Sequence, residues 1–317
     1  MCAVTGFLNY GHKIPHHVLL HLVKALTVAA ECRGTDATGI SYVNNGEMVT
    51  YKKPKRAKKM KFYFPPHTEA VICHNRMTTQ GSELHNYNNH PFEGMADKPF
   101  ALAHNGVIYN DTDIRKAHHL PEPKIETDSY IAVQLLEEQG TIDFNSIKAM
   151  AEELLGSYTF SILDSNNNLW LVKGSNPLHL VHFPELDLYV YASTKEIMDK
   201  ALKAVHLRKF RYTVIETKEG DIIHIDRYGN IQRGQFTPKE DDWHRFSFYP
   251  SLYGWDYKHE DDHDFDSSYA ALIELCGYYG VDEDDVMYLM EMGYSLSEIE
   301  EFIMNPQQLE EVFCEGF

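Results

Sequence analysis

The 317-residue chain has little cysteine and little tryptophan, five and three residues respectively. It also lacks any apolar run of the ~18 residues that a membrane-crossing helix requires, so neither a transmembrane helix nor a membrane partner is expected. The cysteines (Cys2, Cys32, Cys73, Cys276 and Cys314) are scattered and odd in number. That argues against a disulfide scaffold and for a reducing compartment. No CxxC pair occurs, and neither a metal nor a cofactor is expected. The first thirteen residues, MCAVTGFLNYGHK, have no basic region ahead of a long apolar core, so no secretory signal is expected and the location is read as cytoplasmic.

Basic residues are missing from one region only. Residues 240–317 hold 21 acidic side chains against Arg245 and Lys258, whereas residues 1–239 are balanced to within one charge. The net charge of −18 therefore resides entirely in the tail. A break of this size marks a domain boundary. The expected organisation is a main domain over 1–239, an acidic linker over 240–266 and a small acidic helical module over 267–317. Such a tail repels phosphates, so no nucleic-acid partner is expected. One stretch runs the other way: residues 52–59 carry six Lys or Arg. No aromatic interleaves them, and they read as a solvated face rather than an RNA or phosphate site.

What is present is a globular composition, 43% hydrophobic and 24% charged, which excludes wholesale disorder. Short β-prone runs dominate. Residues 2–8, 70–74 and 100–104 read as buried strands. Residues 39–43 with 47–51, 159–163 with 169–173, and 178–182 with 188–192 read as strand pairs, and 213–216, 221–226 and 230–234 as further strands. Helical spacing predicts helices over 16–30, 128–138 and 195–204. Beyond the linker, 267–278, 282–292, 295–303 and 306–313 read as four short helices, the third opened by a Ser295/Glu298 capping box. The order fits an α+β chain with two sheets between helices.

The chemistry starts at Cys2. Loss of the initiator methionine would give this residue a free α-amine, with a pKa near ~7.7–8.0, beside a thiol. One residue would then supply both nucleophile and general base. Four more segments follow in order: Arg33-Gly34-Thr35-Asp36, His74-Asn75-Arg76-Met77-Thr78-Thr79-Gln80-Gly81, His104-Asn105-Gly106 and Glu126-Thr127-Asp128. Taken alone, Asn105-Gly106 is a strong signal for a type I′ turn, and Asp128 would suit a helix N-cap.

Together with Met1-Cys2-Ala3-Val4-Thr5-Gly6, these segments resemble the class II glutamine amidotransferases, which are N-terminal-nucleophile hydrolases. The resemblance is greatest to the glutaminase domain of glucosamine-6-phosphate synthase and covers about residues 2–230. It implies a four-layer αββα sandwich, here with a small C-terminal helical appendage. It implies glutamine, or a larger γ-glutamyl compound, as substrate. Cys2 is the implied nucleophile, with Asn105 and Gly106 as the oxyanion hole. Arg76 and Thr79 would take the substrate carboxylate, Gln80 would line its site, and Asp128 would take its ammonium. Arg33 and Asp36 would support the nucleophile. This sequence departs from the family pattern at Ala3, where glycine is usual, at Met77, where tryptophan is usual, and at Gln80, where histidine is usual; Met77 would act through its backbone.

The family's larger members carry an acceptor domain after the glutaminase. Here about 80 residues follow, with no phosphate-binding glycine loop. The leading expectation is a glutaminase that passes ammonia to a separate synthase or synthetase subunit. A stand-alone γ-glutamyl hydrolase and a non-catalytic regulatory module are the alternatives.

Overall fold

The computed structural model describes residues 2–239, the helix Leu296–Met304, and individually Leu272, Leu275, Cys276, Val281, Val286 and Leu289. It divides into two compact units, Met1–Asp242 and Trp243–Phe317.

The first unit contains two antiparallel sheets. One has the order β11 (Thr213–Ile215), β9 (His179–Phe183), β10 (Leu188–Ala192), β1 (Ala3–Asn9), β4 (Ala70–Arg76), β2 (Ala37–Asn44), β3 (Glu47–Lys53). The other has the order β13 (Ile231–Gln235), β12 (Asp221–Ile225), β8 (Leu169–Lys173), β7 (Gly156–Asp164), β6 (Pro99–Ile108), β5 (Phe92–Met95). Helices α1 (His16–Ala29) and α5 (Lys195–Ala204) cover the first sheet. Helices α2 (Asp111–Ala117), α3 (Tyr130–Gln139) and α4 (Phe144–Glu153) cover the second.

Alternation along the strands builds the layers. On β1, Ala3 and Phe7 face α1 and α5, packed with Leu22, Leu26 and Ile197. Val4 and Leu8 face the other way, into a layer with Ile72, Ala101, Ala103, Leu163 and Leu171. On β6, Phe100 and Leu102 pack under Val133, Leu136 and Ile147. Central strands are thus buried on both faces, which is why they read as continuous apolar runs rather than alternating ones. Each buried Val, Leu, Ile or Phe among them contributes about 1.5–3 kcal/mol. The result is the expected αββα sandwich.

Several boundaries differ from expectation. Strand β4 runs on to Arg76, and β6 runs through Asn105-Gly106, which is therefore paired strand and not a turn: Asn105 lies opposite Thr159 and Gly106 opposite Tyr158 on β7. Helix α3 starts at Tyr130, two residues later than expected. Strand β5 and helices α2 and α4 were not anticipated. Helix α4 is opened by a reciprocal cap in which Asp143 accepts from the amides of Asn145 and Ser146 while Ser146 Oγ accepts from the Asp143 amide.

In the second unit, Leu272, Cys276, Val286, Leu289, Ile299, Phe302 and Ile303 are buried together. Ile299, Phe302 and Ile303 form one stripe of the helix Leu296–Met304, which coincides closely with the expected 295–303. The linker 240–266 and the expected helices 267–278, 282–292 and 306–313 lie, as runs, outside the described residues. Among the described residues no helix is long and apolar enough to cross a membrane.

Candidate active site

The predicted site residues gather at one edge of the sandwich. The pairing of Ala3 with Asn75 and of Ala37 with Arg76 brings the start of β1, the end of β4 and the start of β2 side by side. Cys2 is half-buried, with Sγ 3.4 Å from both the amide nitrogen and the carbonyl oxygen of Met77. Burial pushes its thiol above the ordinary range; the Met77 amide and Arg76 pull it down, and Asp128 pushes it further up. The chain's amino terminus also pulls it down, and a thiol whose net shift is upward calls for a base to become a nucleophile.

Arg33 ties the nucleophile to the opposite sheet. Its Nε donates to the Cys2 carbonyl (2.9 Å) and its Nη2 to Asn105 Oδ1 (3.5 Å). A guanidinium has donors and no acceptor, so this contact fixes which way the Asn105 amide faces. Its Nδ2 is left buried and without a hydrogen-bond partner. An unsatisfied buried donor is costly unless a ligand atom completes it. Asn105's own carbonyl accepts from Asn176 Nδ2 (3.0 Å). In a trans peptide the following N–H points the opposite way, so this bond orients Gly106 N–H. Gly106 has φ +144°, and a Cβ there would sit 1.9 Å from the Ser157 carbonyl oxygen, so only glycine fits.

The other predicted residues lie on or beside the loop after β4. Arg76 is buried. Its Nη1 donates to Asn89 Oδ1 (2.8 Å), and its Nη2 to the carbonyls of Gln80 and Gly81, the latter at 2.8 Å. Burial lowers its pKa, opposed by Cys2, Glu83, Asp36 and Asp128. Asp36 holds the loop from below: Oδ2 accepts the Thr78 amide at 2.7 Å, and its own amide donates to the Arg76 carbonyl at 3.0 Å. Gln80 Oε1 accepts the Asp128 amide (3.1 Å). Asp128 is buried and its Oδ2 accepts the Ile108 amide (2.6 Å), so its carboxylate braces β6 instead of capping α3. Thr79 is exposed on the loop, as are Met77 and Gln80.

Some neighbours carry no clear mark in the sequence. Asn89 and Asn176 each hold a site residue, as above. His74 Nε2 bonds the His104 carbonyl (2.8 Å), and His104 Nδ1 bonds Ser129 Oγ (2.7 Å). Burial pushes His74 down to about 3 and keeps His90 well below the usual histidine range, so both are neutral. His74 and His104 open two of the quoted segments but carry no assigned role there, and His90 stands outside them. His17 and His21 have the i, i+4 spacing that can hold a metal, with rings 6.5 Å apart. Among the described residues, however, no three His, Cys, Asp or Glu cluster as ligands would.

Comparison with known proteins places these residues in context. Residues 74–200 match the family described as a glutamine amidotransferase domain. Similar proteins include glutamine–fructose-6-phosphate aminotransferase [isomerizing] of Bacillus cereus, 29% identical over 249 residues, which span 76% of this chain and 40% of the relative. The 7-cyano-7-deazaguanine synthase of Saccharolobus solfataricus is 25% identical over 232 residues, 70% of this chain and 50% of that one. The chain thus spans half or less of the length of these relatives. Among solved structures, the glutamine phosphoribosylpyrophosphate amidotransferase of B. subtilis, complexed with ADP and GMP, superposes with a TM-score of 0.56 at 21% identity. The match covers 74% of this chain and 49% of that one, a likeness of fold.

Proposed function

The chain carries a glutamine amidotransferase domain homologous to the class II, N-terminal-nucleophile enzymes, and on that premise we propose that it hydrolyses the side-chain amide of glutamine through Cys2. Removal of Met1 frees the Cys2 α-amine. That amine takes the thiol proton as sulfur attacks the amide carbon, and then gives the proton to the departing ammonia. The thioester is cleaved by water to glutamate. Asn105 Nδ2 and Gly106 N–H stabilise the oxyanion of both tetrahedral intermediates. Arg76, with Thr79, takes the substrate α-carboxylate, Asp128 its ammonium, and Gln80 lines the pocket. Arg33 and Asp36 hold nucleophile and loop in register.

The observation that carries this reading is the Asn105 amide: its Oδ1 accepts from the same Arg33 guanidinium that holds the Cys2 carbonyl, and its Nδ2 is buried and unpaired. Residues 1–239 form the glutaminase domain in this reading, followed by the linker 240–266 and the helical module 267–317. The ammonia passes to a separate synthase or synthetase. A stand-alone γ-glutamyl hydrolase is the second reading, favoured by the exposure of Met77, whose backbone meets the Cys2 thiol and whose open side leaves room for a bulkier γ-substituent.

The test is ammonia release from glutamine by the full chain and by Cys2→Ala. Activity in the first and none in the folded variant is expected, with intact mass showing Met1 removed. Normal turnover in Cys2→Ala, or full activity with Met1 attached, overturns the assignment. Faster cleavage of a γ-glutamyl dipeptide than of glutamine selects the second reading.

A further inference from the structure

The basic run 52–59 is not uniform. Lys53, Lys55, Lys58 and Lys59 are exposed, as the sequence suggests, and Arg56 pairs with Glu31 at 2.7 Å. Lys52 behaves differently. It sits on β3 opposite Gly39 of β2 and turns its ammonium inward. There Nζ donates to the carbonyls of Asn89 and Pro91, the latter at 2.9 Å, and lies 4.9 Å from the centre of the Phe92 ring. Gly39 makes the space: a Cβ there would stand 2.1 Å from the His90 carbonyl oxygen and 2.8 Å from Lys52 Cβ. Among the described residues no carboxylate forms an ion pair with Lys52. Burial pushes its pKa down to about 8, with Glu93 opposing and Arg76 adding to the shift. A partly desolvated ammonium without a counter-ion is disfavoured on its own account. Its two backbone bonds are what it gains in return.

Those bonds act on a single segment. The carbonyls Lys52 holds belong to residues 89 and 91, and the side chain of Asn89 accepts from Arg76 Nη1. Asn89 Nδ2 in turn donates to the Glu83 carbonyl (2.8 Å). A continuous path therefore runs from Lys52 through the 89–91 backbone to the Arg76 guanidinium.

We propose that Lys52 is a positioning residue for carboxylate recognition: it fixes the 89–91 segment, thereby sets Asn89 and Arg76, and adds its own positive charge to the field felt by a substrate carboxylate. The inference rests on the reading above that Arg76 takes the glutamine α-carboxylate. It places Lys52 in binding and not in the chemistry of the thiol.

Two thiol reagents separate the alternatives. A glutamine-shaped diazoketone needs the carboxylate site to reach Cys2, whereas iodoacetamide does not. In the full chain, Lys52→Met should slow inactivation by the diazoketone about tenfold and raise KM for glutamine by a similar factor. Alkylation of Cys2 by iodoacetamide should keep its wild-type rate, and Lys52→Arg should restore most of the loss. Equal diazoketone rates in wild type and Lys52→Met, or a parallel fall with both reagents, overturns the proposal. Should Lys52→Met not fold, the pH profile decides. The ammonium is present below about 8 and lost above it, so KM should rise across that range more steeply in the wild type than in Lys52→Arg, where only the groups common to both chains titrate, and superposable profiles overturn the proposal. A wild-type chain that the diazoketone does not inactivate overturns the glutaminase reading instead.

Discussion

The two halves of the site are built on different principles. Around Asn105 the working groups sit in a paired strand, with Cys2 one residue ahead of β1, and Arg33 bonds to both. Arg76 also stands on a strand, at the end of β4, but its guanidinium is held by a loop: its partners are the carbonyls of Gln80 and Gly81 and the side chain of Asn89. The first half keeps a donor unpaired and waiting, while the second has donors already engaged by its own backbone. On the proposed reading, the contrast teaches that the bond-making groups are preorganised by the sheets, and that substrate recognition depends on a segment which can be adjusted without disturbing them. Mutations in the first half should therefore act on kcat and those in the second on KM.

The largest effect is expected at Asn105. Asn105→Ala removes an oxyanion donor and should cut kcat by about 10²–10³-fold, with KM changed little, measured by steady-state ammonia release. A rise in KM without loss of kcat would place Asn105 in the recognition half and break the division. Next is Asn89→Ala, which deletes the acceptor for Arg76 Nη1. It should raise KM for glutamine about tenfold and leave kcat within about a factor of three. A collapse of kcat in this variant would show that the halves are not separable.

The smallest effect serves as a control away from both halves. His118 joins three helices, with Nδ1 2.6 Å from Glu138 and Nε2 2.7 Å from Glu153. Burial opposes its charge, but the two carboxylates outweigh that and raise its pKa in the folded state. A raised folded pKa gives stability that is fully present below the unfolded value of ~6.5 and lost as pH rises through the folded one. His118→Gln should lower the melting temperature by about 2–4 °C at pH 5.5, with the deficit shrinking on the alkaline side, and should leave kcat and KM alone at neutral pH. A deficit that grows with pH would reverse the assigned charge state.

How much was legible follows the same contrast. The central strands could be read because burial on both faces leaves largely apolar runs such as those over 2–8 and 70–74, while the four-layer sandwich came from the family resemblance. Strand β5, with sequence FEGM, and the seven-residue, polar α2 offer no such pattern. Helix α4 did carry a readable signal in its Asp143/Ser146 cap and its Ile147, Met150 and Ala151 stripe. Asn105-Gly106 reads locally as a turn, and only the pairing with β7 makes it strand. Lys52 hides within a charge run because its inward turn depends on having a glycine opposite it on the neighbouring strand, a fact of register that composition does not contain. Among the predicted site residues, Arg33, expected as a support for the nucleophile, contacts both the Cys2 carbonyl and Asn105 Oδ1.

The pairing of Asn105-Gly106 within β6 also bears on how the protein ages. In a flexible chain this dipeptide cyclises readily, because the glycine nitrogen can swing onto the asparagine side-chain carbonyl, and the amide is then shed as ammonia. Held extended against β7, the two atoms are kept apart. The sheet therefore acts as a preservative for the one amide it can least afford to lose, and spells in the unfolded state, rather than years on the shelf, should set the useful lifetime of the molecule.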